Sequence, residues 1–186
     1  MKSPRHFVFP ALALLALSGC QQATSNADAA PSASSAPATA GPSDAELLAQ
    51  GDYLVRIAGC NDCHTPGYAE TGGTVPKAQW LVGSPLGWNG PWGTTYPANL
   101  RLKVQEMDEA KWMKYSAELH TRPPMPDFAV RALSENDRRA IYRFIRSLGP
   151  AGQAAPEYLP PEQKPQPPYV QWVLPPGPPP QAPAAG

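Results

Sequence analysis

The sequence predicts a mostly α-helical domain of three to four helices over residues 43–149, between a flexible N-terminal tether and an extended C-terminal tail. Three observations lead there. Two amphipathic helical patterns with end signals bracket the middle of the chain, one opening at Ser43 and one closing at Gly149. The cluster Cys60-Asn61-Asp62-Cys63-His64 follows directly on the first pattern. The flanks differ in composition: residues 21–42 are mostly Ala, Ser, Thr and Pro, and residues 150–186 hold 13 of the 26 prolines. A segment of that length supports one small domain and not two.

Residues 1–19 read as an export signal. Lys2, Arg5 and His6 make a positive start, Phe7 to Leu17 is apolar apart from Pro10, and small residues follow. The run is too short to span a bilayer as a permanent helix. Residues 20–42 form a linker without apolar period, with an r.m.s. span of about 25 Å as flexible coil. Without Lys2 and Arg5, 13 basic residues face 15 acidic ones. A nearly neutral chain with no basic stripe gives no reason to expect nucleic-acid binding.

The first helix opens with Ser43-Asp44-Ala45-Glu46, the S-x-x-E capping box. Leu47, Leu48, Gly51, Leu54, Val55 and Ala58 share one face. Gly51 costs helix stability, and a close approach by another helix would explain it. The helix runs into Cys60–His64, which has the form C-x-x-C-H, the attachment pattern for c-type haem. Two thiols three positions apart can each reach a haem vinyl group, and the next histidine then lies under the iron. A thioredoxin-like dithiol would need a βαβ context, which is missing. A zinc site would need further ligands, and only His6 and His120 remain.

Residues 65–107 are loop-rich, with Trp80, Trp88, Trp92 and Tyr96 among Gly and Pro. Asp108 to Leu119 reads as a further helix, capped by Asp108, with Trp112, Tyr115 and Leu119 inward. Pro123, Pro124 and Pro126 stiffen a loop around Met125. In the last helix Ser134 and Asp137 resemble a capping box; Ala140, Ile141, Phe144, Ile145 and Leu148 form its apolar face, and Gly149-Pro150 stops it. Arg138, Arg139, Arg143 and Arg146 read as a solvated face, with an acidic-partner patch as the sharper alternative. In the Pro-rich tail, Tyr169 to Leu174 is an apolar island. It is expected to cover a groove on its own domain rather than to dock on a partner.

The segment from about residue 50 to 149 resembles a mono-haem cytochrome c of the class I arrangement, in the branch that serves periplasmic dehydrogenases. The resemblance rests on Gly51-Asp52-Tyr53-Leu54-Val55, Cys60 to Thr65, Gly90 to Leu100, Pro124-Met125-Pro126-Asp127-Phe128, Leu133 to Asp137 and Ala140 to Leu148. Many relatives carry two or three C-x-x-C-H motifs, whereas this chain carries one and so offers one electron at a time. The resemblance implies one covalent haem c on Cys60 and Cys63, with His64 and Met125 as iron ligands. His120 is the rival sixth ligand, and packing is the ordinary use of a methionine. The resemblance also implies a backbone carbonyl after the motif, for which Pro66 is the candidate, accepting the His64 N–H. Trp88, Trp92, Tyr96 and Asn99 are candidates to bond haem propionates or pack on the ring, with core packing and a turn as their ordinary uses. Leu17-Ser18-Gly19-Cys20 resembles a bacterial lipobox. That implies cleavage before Cys20, its acylation and a membrane-surface anchor, where ordinary secretion would leave Cys20 free. Gln21 after the cysteine leans toward the outer membrane.

The expected function is therefore a lipid-anchored periplasmic electron carrier, not an enzyme. Its partners would be a dehydrogenase or quinol-oxidising donor and an oxidase or another cytochrome as acceptor. A haem enzyme or gas sensor with an open axial site, and a cytochrome subunit fixed in a dehydrogenase complex, are the alternatives.

Overall fold

In the computed structural model, which describes residues 41–177, the chain begins at a helix start that the sequence encodes locally. Ser43 Oγ accepts from Glu46 N at 3.3 Å, and the Glu46 carboxylate accepts from Ser43 N at 2.7 Å. This capping box opens α1 (Asp44–Ile57) and satisfies two of the donors that a helix start leaves bare. The signal segment, Cys20 and nearly all of the linker lie outside the described residues.

Five further helices follow: α2 (Cys60–His64), α3 (Leu100–Lys103), α4 (Glu109–Ala117), α5 (Asp127–Ala132) and α6 (Glu135–Ser147). Three short strands, β1 (Gly87–Gly90), β2 (Gly93–Thr95) and β3 (Tyr169–Gln171), form a sheet in the order β2-β1-β3. Among the described residues the architecture is thus mixed α/β, and the mostly α expectation missed the sheet. No helix among them is long and apolar enough to cross a membrane.

α1 on α6 is the most extensive packing between elements. Leu47, Gly51, Leu54 and Val55 of α1 are buried, as are Ala140, Ile141, Tyr142, Phe144 and Ile145 of α6. A Cβ built on Gly51 would lie 2.2 Å from Ala140 O and 2.5 Å from Phe144 Cβ. Only a bare backbone lets the helices meet there, as its place on the apolar face suggests. Fully buried Val55 and Ile145 each contribute about 1.5–3 kcal/mol of hydrophobic stabilisation.

α4 is capped by Asp108 as expected, Oδ1 accepting from Lys111 N at 2.8 Å, and ends at Ala117, short of the expected Leu119. The α6 arginines are more engaged than a solvated face would be. Arg139 binds Glu109 at 3.0 Å and Glu135 at 2.8 Å, Arg143 binds Glu109, and Arg146 Nη1 donates to Gln105 Oε1 at 2.6 Å. They tie α6 to α4 and to the segment before it.

Arg101 was not anticipated. It is 5 % exposed, and its guanidinium donates to Ala78 O at 2.6 Å, Gly149 O at 2.5 Å and Leu148 O. The negative end of α6 and the end of a 3-10 turn over Lys77–Gln79 thus share one buried cation.

The tail joins the domain. β3 pairs parallel with β1, placing Val170 beside Trp88, and Trp172 N donates to Asn89 O at 2.7 Å. Upstream, Leu159 exchanges two backbone hydrogen bonds with Thr94, at 2.7 and 3.0 Å. The Trp172 ring lies on Trp88 and Trp92, with centroids 6.1 and 5.9 Å away. The apolar island therefore lies along its own domain.

Candidate functional site

Gly59, at φ 69°, turns the chain between α1 and α2, a conformation that glycine adopts without strain. α2 then sets Cys60 and Cys63 one turn apart. Its far side is locked in place. Asn61 is fully buried and accepts from Thr65 Oγ1 at 2.7 Å; Thr65 Oγ1 accepts from Leu81 N at 2.8 Å; Gly83 N donates to His64 O at 2.9 Å.

His64 is 8 % exposed, and its Nδ1 donates to Ala98 O at 2.7 Å. With that tautomer, Nε2 is the nitrogen left with a free lone pair. Burial holds the imidazole below its ordinary pKa, against the opposing pull of the Ala98 bond, so it favours the neutral form a metal requires. Pro66 does not have the acceptor role expected for it; the carbonyl that reaches Nδ1 comes from another segment, brought in by tertiary packing.

Ala98 is itself fixed by its neighbour. Asn99 Oδ1 caps α3 by accepting from Leu102 N at 3.0 Å, while Asn99 Nδ2 donates to Ala151 O at 2.8 Å and Gln153 O at 3.0 Å. Both ends of this amide are thus spent on backbone, and Asn99 does not line the cavity described next. That corrects its expected role as a propionate partner.

Cys60, Cys63 and His64 line one wall of a cavity of about 700 Å³, within the roughly 300–1,000 Å³ range of cofactor pockets. Met125 lines it too, with Pro124 and Pro126, and so does His120. Trp112 and Tyr115 of α4, Leu119 just beyond it, and Ile141 and Ile145 of α6 give it apolar sides, while Trp88 and Tyr96 come from the sheet region. Trp92 does not line it. Its ring is turned onto Trp172, which lines the cavity instead. The sixth-ligand candidates Met125 and His120 are thus together at one cavity, with Arg131 Nη1 3.4 Å from His120 Nδ1.

The loop carrying Met125 is pinned at several points. Thr95 Oγ1 donates to Pro123 O at 2.8 Å, Asp127 N to Met125 O at 2.9 Å, and Thr121 N to Asp127 Oδ2 at 2.6 Å.

The lining contains no carboxylate, but includes His120, Arg122 and Arg138. Arg138 Nε is buried and without a hydrogen-bond partner. An anionic group in the cavity would supply one. Sequence reasoning had placed Arg138 with the surface arginines. Its spacing from Ile141 and Ile145, three and seven residues on, was the available signal that it faces inward with them. Tyr158 and Pro156, also in the lining, carried no such signal.

The thiols are poor candidates for redox catalysis in this setting. Burial pushes Cys60 up to about 11, and burial with the nearby Asp62 charge raises Cys63. A catalytic dithiol needs a lowered pKa. Among the described residues no three His, Cys, Asp or Glu side chains converge as a metal cluster. No protein-family model, curated protein or solved structure matches this chain.

Proposed function

We propose that the chain is a mono-haem electron carrier of the cytochrome c kind, anchored by lipid on Cys20 at a periplasmic membrane surface. The observation that carries this reading is the convergence of Cys60, Cys63, His64 and Met125 on one apolar cavity with cationic side chains and no carboxylate in its lining. That lining suits an apolar macrocycle with acidic substituents. Cys60 and Cys63 would hold the group through thioethers, and His64 Nε2 and the Met125 sulfur would hold its iron.

When bound, haem supplies a one-electron Fe(III)/Fe(II) couple. The protein's own part is orientation and exclusion. Ala98 O fixes the His64 ring plane and raises its basicity through Nδ1. The Met125 thioether is a soft ligand that favours ferrous iron and raises the potential. Ile141, Ile145, Trp112 and Leu119 give the cavity apolar sides that would keep water from the bound group. With His64 and Met125 both holding the iron, it would have no free position for a substrate. Electrons would come from a dehydrogenase or quinol-oxidising donor and leave to an oxidase or another cytochrome.

His120 at the same cavity favours one second reading, a haem enzyme or gas sensor in which Met125 does not hold the iron. Carbon monoxide separates the two. The carrier should resist it in the reduced state, and Met125→Ala should bind it readily while keeping covalent haem; His120→Ala should change neither. Haem that leaves the denatured protein into acidified organic solvent would defeat the attachment. Mass spectrometry of the mature amino terminus tests the anchor: an unmodified start downstream of Cys20 would defeat it.

A further inference from the structure

The tail meets the Met125 loop in a contact with the chemistry of a clamp. The Arg122 guanidinium lies over the Tyr158 ring, its carbon 3.7 Å from the centroid. Tyr158 is not free to follow it. Its Oη donates to Trp92 O at 2.9 Å, and the next residue, Leu159, is held by two backbone hydrogen bonds to Thr94 of β2. At Gly93, φ 93°, an added Cβ would come within 2.2 Å of Leu159 O and 2.9 Å of the Tyr158 ring. The hairpin has therefore given up a side chain to let the tail lie close. On the other side of the same strand, Thr95 Oγ1 binds Pro123 O. Arg122 and Pro123 stand three and two residues before Met125, and Arg122, Met125 and Tyr158 all line the cavity.

We infer that Tyr158 is a positioning residue for Met125: the C-terminal segment, through its stack on Arg122, holds the ligand loop closed over the cavity. This rests on the proposed role of Met125 as an iron ligand. Thr95 alone would tether the loop by one exposed hydrogen bond. The Tyr158 ring adds a cation–π contact on the loop's exposed edge, worth about two- to five-fold in the closed-to-open ratio.

The test uses the full-length protein with its haem. Carbon monoxide binding to reduced iron is limited by opening of the methionine loop, so its rate reports the open population. Tyr158→Ala and Arg122→Ala should each speed binding about two- to five-fold and weaken the iron–methionine charge-transfer band of the oxidised protein. The double variant should add little to either alone, because both remove one contact. Tyr158→Phe keeps the ring but loses the bond to Trp92 O, so it should fall between the parent and Tyr158→Ala, while Val173→Ala, on a side chain 81 % exposed, should match the parent. Arg122 is exposed, so its variant should remain folded even if Tyr158→Ala does not. If the parent shows the band and Arg122→Ala binds carbon monoxide at the parental rate, the clamp is refuted alone. If the parent lacks the band, the ligand assignment falls and the clamp with it.

Discussion

His64 and Met125 line the same cavity from walls of different construction. The His64 wall is built of buried contacts that reinforce one another. α1 packs on α6 through Gly51, the hook's inner side is bonded through Asn61 and Thr65, and the imidazole bonds to a carbonyl whose neighbour is held at three points. The Met125 wall is a proline-rich loop held by a few contacts, several of them exposed, and it continues into α5, which has no buried residue. Phe128 on α5 is 67 % exposed. The first wall is tied to the stability of the whole domain, while the second can open locally, because few buried contacts oppose it.

The largest expected effect breaks the first wall. Ile145→Ala should cost about 2–5 kcal/mol in denaturant unfolding, whereas Phe128→Ala should stay within about 0.5 kcal/mol. Equal losses at the two sites would remove the distinction. Gly51→Ala comes next. Its methyl would meet α6 backbone, which cannot swing aside as a side-chain tip would, so overpacking should cost about 1–3 kcal/mol. A variant as stable as the parent would mean that the helices can separate freely. Asn99→Ala should cost about 0.5–2 kcal/mol through the lost cap of α3. It should also loosen Ala98 and so make His64 a less basic ligand, which is seen as a raised reduction potential if His64 holds the iron. An unchanged potential would place the restraint on His64 elsewhere.

The smallest effect concerns pH. The Ser43 hydroxyl first, and then the Ser43 N–H, hold the Glu46 carboxyl below its ordinary pKa. The folded value is thus the lower one. The cap's contribution is full above the unfolded value, about 4.3, and is lost as pH falls through the lower folded value. Glu46→Gln should flatten this acid limb of a stability titration. An unaltered acid limb would show that the capping box does not titrate with folding.

What could be read from the sequence was local. Ser43, Asp108 and Ser134 announce their helices within three residues, and Cys60–His64 carries its pattern in five. Gly51 was legible because its place in the apolar face left packing as its explanation. The sheet was hidden because β1 pairs with a strand some eighty residues away in a proline-rich tail, with a Gly-Trp-Asn-Gly sequence that has no alternation. Ala98 could not be found because every residue has a carbonyl. Only the fold decides which carbonyl meets His64, and the resemblance, which implies a carbonyl soon after the motif, points to Pro66 where the structure has Ala98. Asn99 and Trp92 were expected at the cavity as side chains of suitable chemistry, but backbone bonds claim the first and Trp172 the second.

The bonds from Asn99 to Ala151 and Gln153 also set an order in time. A chain is made from its amino end, and Asn99 must wait 52 residues for Ala151. At about 5–20 residues per second, that is roughly 3–10 s of synthesis. During that interval Cys60, Cys63 and His64 already exist, and Asn99 has its bond to Leu102 but neither of its bonds to Ala151 and Gln153. The imidazole gains its final restraint only when the last part of the chain arrives. A chain cut short before residue 151 would carry the whole hook and the Ala98 carbonyl, with two of the three bonds on Asn99 missing.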